Sequence, residues 1–299
     1  MRGAYNRREF LGLSIAAGAS AMLGGCKSLF GETSFYGPAI RDRLWMWGHH
    51  PDVVRKGANG FKPGQVKIDQ AAACKLMGIP NNCIIRWGNL PKHPWENYFD
   101  QFKDLKRFSF GIADGAAGTT MEKMRIAFDE LQPKYPNLTG CFLDDFFINK
   151  RLYMEPDALA KVADEVHAHK LRLSVVLYSD QVGMKPEFKR HVALCDETSC
   201  WFWKGDNIVT MSDNVKRCRE FVGPDKDLLL GLYMWDFSCG QPISAKKMEM
   251  QLDIARKYLA DKTVTGLIFH PSFAADLDLP SVRISKEWIA AHGEDRWGT

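Results

Sequence analysis

Short apolar runs alternate with amphipathic stretches along the chain from Leu44 onward. The apolar runs have the length of buried strands, and the stretches between them place apolar residues with the period of a helix. The pattern predicts eight strands, at Leu44–Gly48, Asn82–Trp87, Arg107–Ile112, Leu138–Asp145, Leu171–Tyr178, Asp196–Trp203, Leu228–Asp236 and Val264–His270. It also predicts eight helices, at Gln65–Met77, Pro94–Lys106, Thr120–Lys134, Pro156–Lys170, Pro186–Leu194, Asp213–Val222, Ala245–Lys262 and Ser281–Ala291. The chain is therefore expected to be a series of βα units.

Eight such units over roughly 250 residues are typical of a (β/α)8 TIM barrel, an α/β fold. A doubly wound parallel sheet is the main alternative, but no glycine-rich phosphate loop follows the first strand. No linker, repeat or low-complexity stretch separates a second domain. The sequence predicts a single barrel domain over residues 44–299.

The N-terminus has the features of an export signal. The segment NRREFL, residues 6 to 11, resembles a twin-arginine signal, and the apolar run that follows it is too short for a transmembrane helix. The segment LGGC, ending at Cys26, resembles the lipobox of bacterial lipoproteins. We expect residues 1–25 to be a signal peptide, Cys26 to be lipidated, and residues 26–43 to be a tether to a membrane, with the protein periplasmic or on the cell surface. A buried N-terminal helix is the alternative.

Composition excludes several other classes of protein. The formal net charge is only +4, and no basic run with interleaved aromatic residues indicates nucleic-acid binding. The eight cysteines show no CxxC spacing, so a zinc site made of cysteines is not expected. Several of them lie in apolar runs, where a free cysteine acts as a small core residue. Cys195 with Cys200 is the favoured pair for a disulfide; the oligomeric state is left open.

The predicted strand ends carry mainly acids and aromatic rings, and the active site of a TIM barrel lies at these ends. A sugar has apolar C–H faces and rims of hydroxyl groups, so it is a suitable ligand for a site made of aromatic rings and acids. Six of the nine tryptophans lie at or near a strand end, although each could instead be a core residue. The candidate ligand-binding residues are Trp45, Trp47, His49, Arg86, Trp87, Tyr178, Asp180, Trp201, Trp203, Tyr233, Trp235 and His270. The expected partner is therefore a carbohydrate, and no cofactor or metal is expected.

The segment GCFLDDFFIN, residues 140 to 149, places two acids directly after an apolar strand. Cleavage of a glycosidic bond usually needs two carboxyl groups. Because neighbouring residues of a strand point to opposite faces, Asp144 and Asp145 are poorly arranged as a pair, and the second acid should come from another strand. We expect Asp144 to face the mouth and Asp145 to orient a neighbour, unless a twist at the strand end turns it inward.

The second carboxylate is expected on a later strand. Asp236 is preferred because it follows Trp235 at the end of the seventh strand. Glu197 is the next candidate, although it precedes the aromatic cluster of its own strand and could lie too deep. Asp180 and Asp114 are weaker candidates. Each of these acids could instead have a purely structural role.

The segments GCFLDDFF, GLYMWDF and GLIFHPS resemble those of glycoside-hydrolase-type (β/α)8 barrels found among exported bacterial lipoproteins. The resemblance covers about residues 40 to 295. It implies a hydrolase that acts on a glycan, with strand-end carboxylates as acid and as base or nucleophile. The chain lacks the DxxDxDxE strand of chitinase-like barrels, so the resemblance fixes neither the sugar, nor the linkage, nor the role of each acid.

Two other functions remain open from the residues alone. A metal-dependent sugar isomerase or epimerase could use His49, Asp144, Glu197 and His270 as ligands, but no HxH or HExxH spacing supports it. A glycan-binding lipoprotein could keep the aromatic platforms without catalysis. Comparing the binding and the turnover of an Asp144→Asn variant separates this second alternative from an enzyme.

Overall fold

Eight parallel strands close into a barrel in the computed structural model, which describes residues 35–87, 90–92, 94–112, 128–148, 153–178 and 185–299. The strands are β1 Leu44–His49, β2 Asn81–Ile85, β3 Arg107–Gly111, β4 Leu138–Leu143, β5 Arg172–Tyr178, β6 Glu197–Trp201, β7 Asp227–Tyr233, β8 Trp235–Asp236, β9 Gln241–Pro242 and β10 Gly266–His270. β8 and β9 form a separate antiparallel pair, and the other eight strands form the barrel. Each of these eight pairs with its neighbours in the chain, and β10 pairs with β1, so no edge remains. The predicted TIM barrel is confirmed.

Helices cover the outside of the ring between the strands. They are α1 Asp52–Arg55, α2 Gln70–Met77, α3 Glu96–Phe99, α4 Pro156–Ala168, α5 Lys189–Leu194, α6 Met211–Val222, α7 Ala245–Ala260 and α8 Pro280–His292. Residues 128 to 131 are also helical, and they are the described end of the helix predicted over residues 120–134. The helix predicted from Gln65 begins only at Gln70. The one predicted from Pro94 is a single turn, α3, followed by a 3-10 turn.

Four predicted strands extend at least two residues too far at their carboxyl ends, and the strand predicted to end at Ile112 extends one residue too far. β2 stops at Ile85, β4 at Leu143, β6 at Trp201 and β7 at Tyr233. After β6 and β7 the sequence stays apolar or aromatic, so periodicity alone does not mark the end, whereas Arg86 and Asp144 already interrupt the apolar runs of β2 and β4. The chain turns at these points because it must leave the ring towards the helix layer. The residues just beyond the strands therefore belong to the loops of the mouth.

The interior of the barrel is filled by aromatic side chains. The Trp47 ring lies 4.5 Å from the Phe142 ring and 5.0 Å from the Trp201 ring, measured between centroids. Gly231 makes space for this layer, since a Cβ at that position would lie 2.1 Å from the Trp201 ring. Trp47 and Trp201 are therefore packed core residues, as the inward side chains of a TIM barrel usually are.

One disulfide joins the barrel to its helix layer. Cys200 of β6 is bonded to Cys218 of α6. The predicted pair Cys195 and Cys200 is wrong: Cys195 is free and buried, with its thiol against the carbonyl of His191. Alternation along β6 turns Cys200 outward, and α6 is the helix packed on that side of the strand. The cross-link therefore ties a strand to the helix that follows it.

The chain divides into two units, Met1–Tyr36 and Gly37–Thr299, and the barrel is the second. The predicted signal peptide and Cys26 lie outside the described residues. Of the predicted tether, residues 41–43 form a 3-10 turn whose Arg41 backbone N–H donates to the carbonyl of Gly293 at 2.7 Å. None of the helices in the described ranges is long and apolar enough to cross a membrane.

Candidate active site

The two neighbouring acids lie together at the carboxyl end of β4. The strand stops at Leu143, and Asp145 takes a left-handed backbone conformation with φ 53°. Aspartate tolerates this conformation better than most residues do. The Asp145 N–H donates to the Asp144 carboxyl group, and Asp145 Oδ1 accepts a hydrogen bond from the Tyr178 hydroxyl at 3.1 Å. The turn ends the alternation of the strand, so the second acid is brought beside the first rather than directed to the opposite face.

Burial and mutual repulsion favour protonation of this pair. Burial raises the pKa of Asp144 well above its usual range, and the charge of Asp145 raises it further. Burial also raises the pKa of Asp145, while the hydrogen bond from Tyr178 acts in the opposite direction and stabilises the carboxylate. The pKa of Tyr178 is raised by burial and by the charge of Asp144, so its hydroxyl stays protonated and remains a donor. The pair therefore keeps a proton to a higher pH than an ordinary aspartate does.

A wall of neutral polar rings adjoins the acids. Tyr233 ends β7 close enough to Tyr178 to raise the pKa of the latter, and its ring lies 5.2 Å from the His270 ring. The His49 ring lies 5.9 Å from that of His270. Burial lowers the pKa of His49 to about 4 and that of His270 to about 3, so both imidazoles are neutral at pH 7. His270 Nδ1 donates to the Trp47 carbonyl at 3.2 Å, which leaves Nε2 as an acceptor.

The structure does not bring Glu197 to the mouth. It is the first residue of β6, so it lies at the amino end of the barrel, whereas the acid pair follows the carboxyl end of β4. Its Oε1 accepts a hydrogen bond from Ser174 Oγ at 2.8 Å, and the side chain is buried. The depth of Glu197 along its strand separates it from the reaction site of a TIM barrel.

Asp236 organises loops instead of facing Asp144. Its Oδ2 accepts from the Gly205 N–H at 3.0 Å, and its Oδ1 accepts from the Ser238 N–H at 2.9 Å and the Ser238 hydroxyl at 2.6 Å. A Cβ on Gly205 would collide with this carboxylate at 2.3 Å. Both oxygens of Asp236 are therefore used to join the loops after β6 and β7. Among the described residues, the acid whose charge acts on Asp144 is its chain neighbour Asp145.

Most of the candidate tryptophans are core residues. Trp45, Trp47, Trp201 and Trp235 are each at most 6% exposed. Trp235 stacks on Phe61 with 4.0 Å between ring centroids, and its Nε1 donates to a loop carbonyl. These four indoles cannot act as sugar platforms without unpacking the core.

Trp87 and Trp203 differ from the four buried tryptophans. Trp87 is 49% exposed, and its ring lies edge-on to His49 with 6.4 Å between centroids. Trp203 is half-buried, with the Lys204 ammonium group above its ring. Trp87 is therefore the candidate best placed to stack on a ligand at the mouth.

Arg86 does not face the mouth. Its guanidinium lies over the Trp95 ring at 5.1 Å and the Phe110 ring at 5.6 Å, on the side where β3 meets the helix layer. Two further candidates, Asp114 and Asp180, lie outside the described residues. The part of the predicted site that the structure gathers consists of Asp144, Asp145, Tyr178, Tyr233, His49, His270 and Trp87.

Two phenylalanines of the mouth were not predicted from the sequence. Phe237 stacks on His270 with 4.9 Å between ring centroids and an interplanar angle of 17°. Phe273 lies 6.3 Å from His49 and 6.5 Å from His270. The available indication was their place in the chain, since Phe237 ends the segment GLYMWDF and Phe273 directly follows the segment HPS.

The four residues of the hypothetical metal site are not gathered at one place. His49 and His270 lie side by side, but Glu197 is at the far end of the barrel. Within the described ranges, no group of three or more histidine, cysteine or acidic side chains is arranged to hold a metal ion. The geometry therefore gives the isomerase or epimerase hypothesis no support.

Comparisons with solved structures identify the class of fold. No protein-family model and no curated protein matches the sequence. A candidate alpha-L-fucosidase from Bacteroides thetaiotaomicron is 12% identical, with 88% of this chain and 100% of that chain covered and a TM-score of 0.56. The GH99 endo-alpha-mannosidase of the same species is 9% identical, with 84% and 97% covered and a TM-score of 0.52.

A third similar structure has an inhibitory function. The xylanase and alpha-amylase inhibitor protein of Scadoxus multiflorus is 12% identical, with 86% of this chain and 100% of that chain covered and a TM-score of 0.54. At these identities the similarity concerns the fold alone. The protein is thus a TIM barrel with a glycoside-hydrolase-like fold, which is shared by proteins named as enzymes and by a protein named as an inhibitor.

Proposed function

We propose that the protein hydrolyses glycosidic bonds at the mouth of its barrel. The observation that supports this most strongly is the pairing of Asp144 and Asp145 beside the Tyr178 hydroxyl. Asp144, whose pKa is raised well above the usual range, is the proposed general acid that protonates the leaving oxygen. Asp145, whose carboxylate form accepts the hydrogen bond from Tyr178, is the proposed base or nucleophile.

The surroundings of the acids fit a sugar ring. His49, which is half-buried, offers a neutral donor and acceptor for hydroxyl groups because burial keeps its imidazole uncharged, and the buried, uncharged His270 packs between it and Tyr233. The exposed face of Trp87 offers an apolar surface for the C–H face of a sugar. A neutral lining allows hydroxyl groups to bind without competing for the proton of the acid pair.

The test is release of reducing ends from a panel of glycans and aryl glycosides. The parent protein should cleave at least one substrate, and Asp144→Asn and Asp145→Asn should each lower kcat by about 10²- to 10⁴-fold, as loss of a general acid or base does. Asp206→Asn is the control, because that carboxylate is 96% exposed and pairs with Lys247. A parent protein that cleaves nothing, or variants that keep the parent rate, would contradict the proposal.

A glycan-binding protein without catalysis is the second candidate. Two observations favour it: both predicted partner acids, Glu197 and Asp236, have structural roles, and a TIM barrel of similar size is named as an inhibitor. This function predicts glycan binding by the parent protein with no release of reducing ends, and no loss of binding in Asp145→Asn. Calorimetry run beside the turnover assay distinguishes the two functions.

We also propose that the protein is exported and anchored to a membrane by a lipid on Cys26. The support is the twin-arginine-like segment and the lipobox-like segment, together with the Cys200–Cys218 disulfide, which is typical of oxidising compartments. Mass spectrometry of the mature protein from membranes should find an N-terminal diacylated or triacylated Cys26. Cys26→Ala should abolish lipidation, and Arg7→Lys with Arg8→Lys should reduce export. An unprocessed chain beginning at Met1 would contradict this.

A further inference from the structure

A groove lies on the rim of the barrel, between the loops that follow β1 and β2. It has two adjoining lobes, of about 770 and 580 Å³, and both are lined by His50, Asp52, Arg55, Asn97 and Tyr98. Volumes of this size are those of small-molecule sites. The groove is distinct from the acid pair, which lies at the end of β4.

Residues that line the groove are neighbours of residues at the candidate active site. His50, which lines both lobes, directly follows His49 of the mouth. On the other side, the lobe of 770 Å³ is lined by Leu90, whose backbone pairs with that of Trp87. The groove therefore lies next to the His49 and Trp87 side of the mouth.

The shared wall of the groove is an aromatic pair. The rings of His50 and Tyr98 lie 4.6 Å apart with an interplanar angle of 31°. Burial lowers the pKa of His50, although the charge of Asp52 acts in the opposite direction, and Nδ1 accepts a hydrogen bond from the Asp52 N–H at 3.2 Å. The wall therefore supplies an uncharged, flat surface of the kind that sugar rings contact.

The two lobes differ in charge. Arg55 is shared by both and is paired with Asp52 at 2.8 Å and Asp69 at 3.1 Å. Lys56 and Lys92 line only the larger lobe, and neither has an ion-pair partner among the described residues. The larger lobe thus has three cations and one acid, whereas the smaller lobe adds Asp69 and no lysine. Lysines without ion-pair partners that line the same concave surface attract an anion.

We propose that this groove binds the anionic substituent, a carboxylate or a sulfate, of an acidic saccharide whose adjoining unit occupies the mouth. Lys56 and Lys92 contact the anion, and the aromatic wall contacts the sugar ring that carries it. The inference rests on the proposed function in naming a saccharide. The selectivity of the groove for an anionic ligand is a property of binding, so it can be measured without turnover.

The experiment measures binding to the full chain by calorimetry at two salt concentrations. The probes are trigalacturonate, a sulfated chondroitin disaccharide, neutral galactotriose and inorganic sulfate. We expect at least one acidic saccharide to bind about tenfold more tightly than galactotriose. The double variant Lys56→Gln, Lys92→Gln should remove this difference and weaken the salt dependence of binding. The control is Lys62→Gln, Lys75→Gln, which removes the same charge from exposed lysines that do not line the groove.

Failure of this inference can be separated from failure of the proposed function. The inference is overturned if no acidic probe binds more tightly than galactotriose, if the groove and control variants behave alike, or if inorganic sulfate alone binds as tightly as the sulfated saccharide. Hydrolysis of neutral glycans with no acidic preference overturns the inference and leaves the hydrolase. Acidic preference without any hydrolysis retains the groove and favours the non-catalytic candidate.

Discussion

Replacing Tyr178 by phenylalanine removes one hydroxyl group from the mouth of the barrel and leaves the ring. That hydroxyl donates to Asp145 Oδ1 at 3.1 Å and stabilises its charged form. A hydrogen bond to a charged group contributes about 1.5–3 kcal/mol. Since one pKa unit corresponds to about 1.4 kcal/mol, the pKa of Asp145 should rise by about one to two units in Tyr178→Phe. The carboxylate form is then reached only at higher pH.

The assay is the pH dependence of kcat/KM on the best substrate of the glycan panel. If Asp145 acts as base or nucleophile, activity appears as its carboxyl group loses its proton, so the acidic limb of the profile should move to higher pH by the same one to two units. Tyr135→Phe is a matched control, because its hydroxyl donates to Asp100 at 2.7 Å in the helix layer. A profile that does not move in Tyr178→Phe, or that moves equally in the control, refutes the assignment.

Three further predictions concern stability and cross-linking. Because burial raises the pKa of Asp144, the folded chain binds this proton more tightly than the unfolded chain, and the free energy of unfolding should fall as pH rises above the ordinary aspartate range. Urea titrations at several pH values should show this fall in the parent protein and not in Asp144→Asn. A parallel fall in both proteins would contradict the prediction. Trp201→Ala should cost about 3–5 kcal/mol of stability because it leaves a cavity inside the barrel. Trp87→Ala should change stability by less than about 0.5 kcal/mol and should weaken glycan binding. Equal destabilisation by the two substitutions would contradict the assignment of Trp201 to the core and Trp87 to the mouth. Non-reducing peptide mapping should recover a Cys200–Cys218 peptide pair, which is lost in Cys218→Ala; a Cys195–Cys200 pair would contradict the structure.

The ring of strands could be predicted from the sequence because both faces of a parallel barrel strand are buried. Continuous apolar runs such as those of β7 and β10 follow directly from that burial. The ends of the strands could not be predicted in the same way. At β4 the decisive feature is the left-handed conformation of Asp145, which is a property of one residue in a turn and has no periodic pattern.

The candidate site was predictable where a side chain ends a strand and faces inward, as for Tyr178, Tyr233 and His270. It was not predictable where position along the strand decides the role. Trp47 and Trp201 lie close to their strand ends in sequence, but they fill the layer beneath the mouth. Asp236 follows its strand yet is held by Ser238 and Gly205, and this arrangement depends on the β8–β9 turn and the loop after β6.

The most direct test of the account is a carboxyl titration by NMR of the protein labelled with ¹³C-aspartate. We infer that Asp144 and Asp145 share one proton at the barrel mouth, so two coupled titrations should be seen, both above the ordinary aspartate value of about 3.9 and the higher one well above it. In Asp144→Asn the higher titration should disappear, and a single titration, that of Asp145, should remain. Two independent titrations in the ordinary range, unchanged by that substitution, would contradict the shared proton and the hydrolytic chemistry that depends on it.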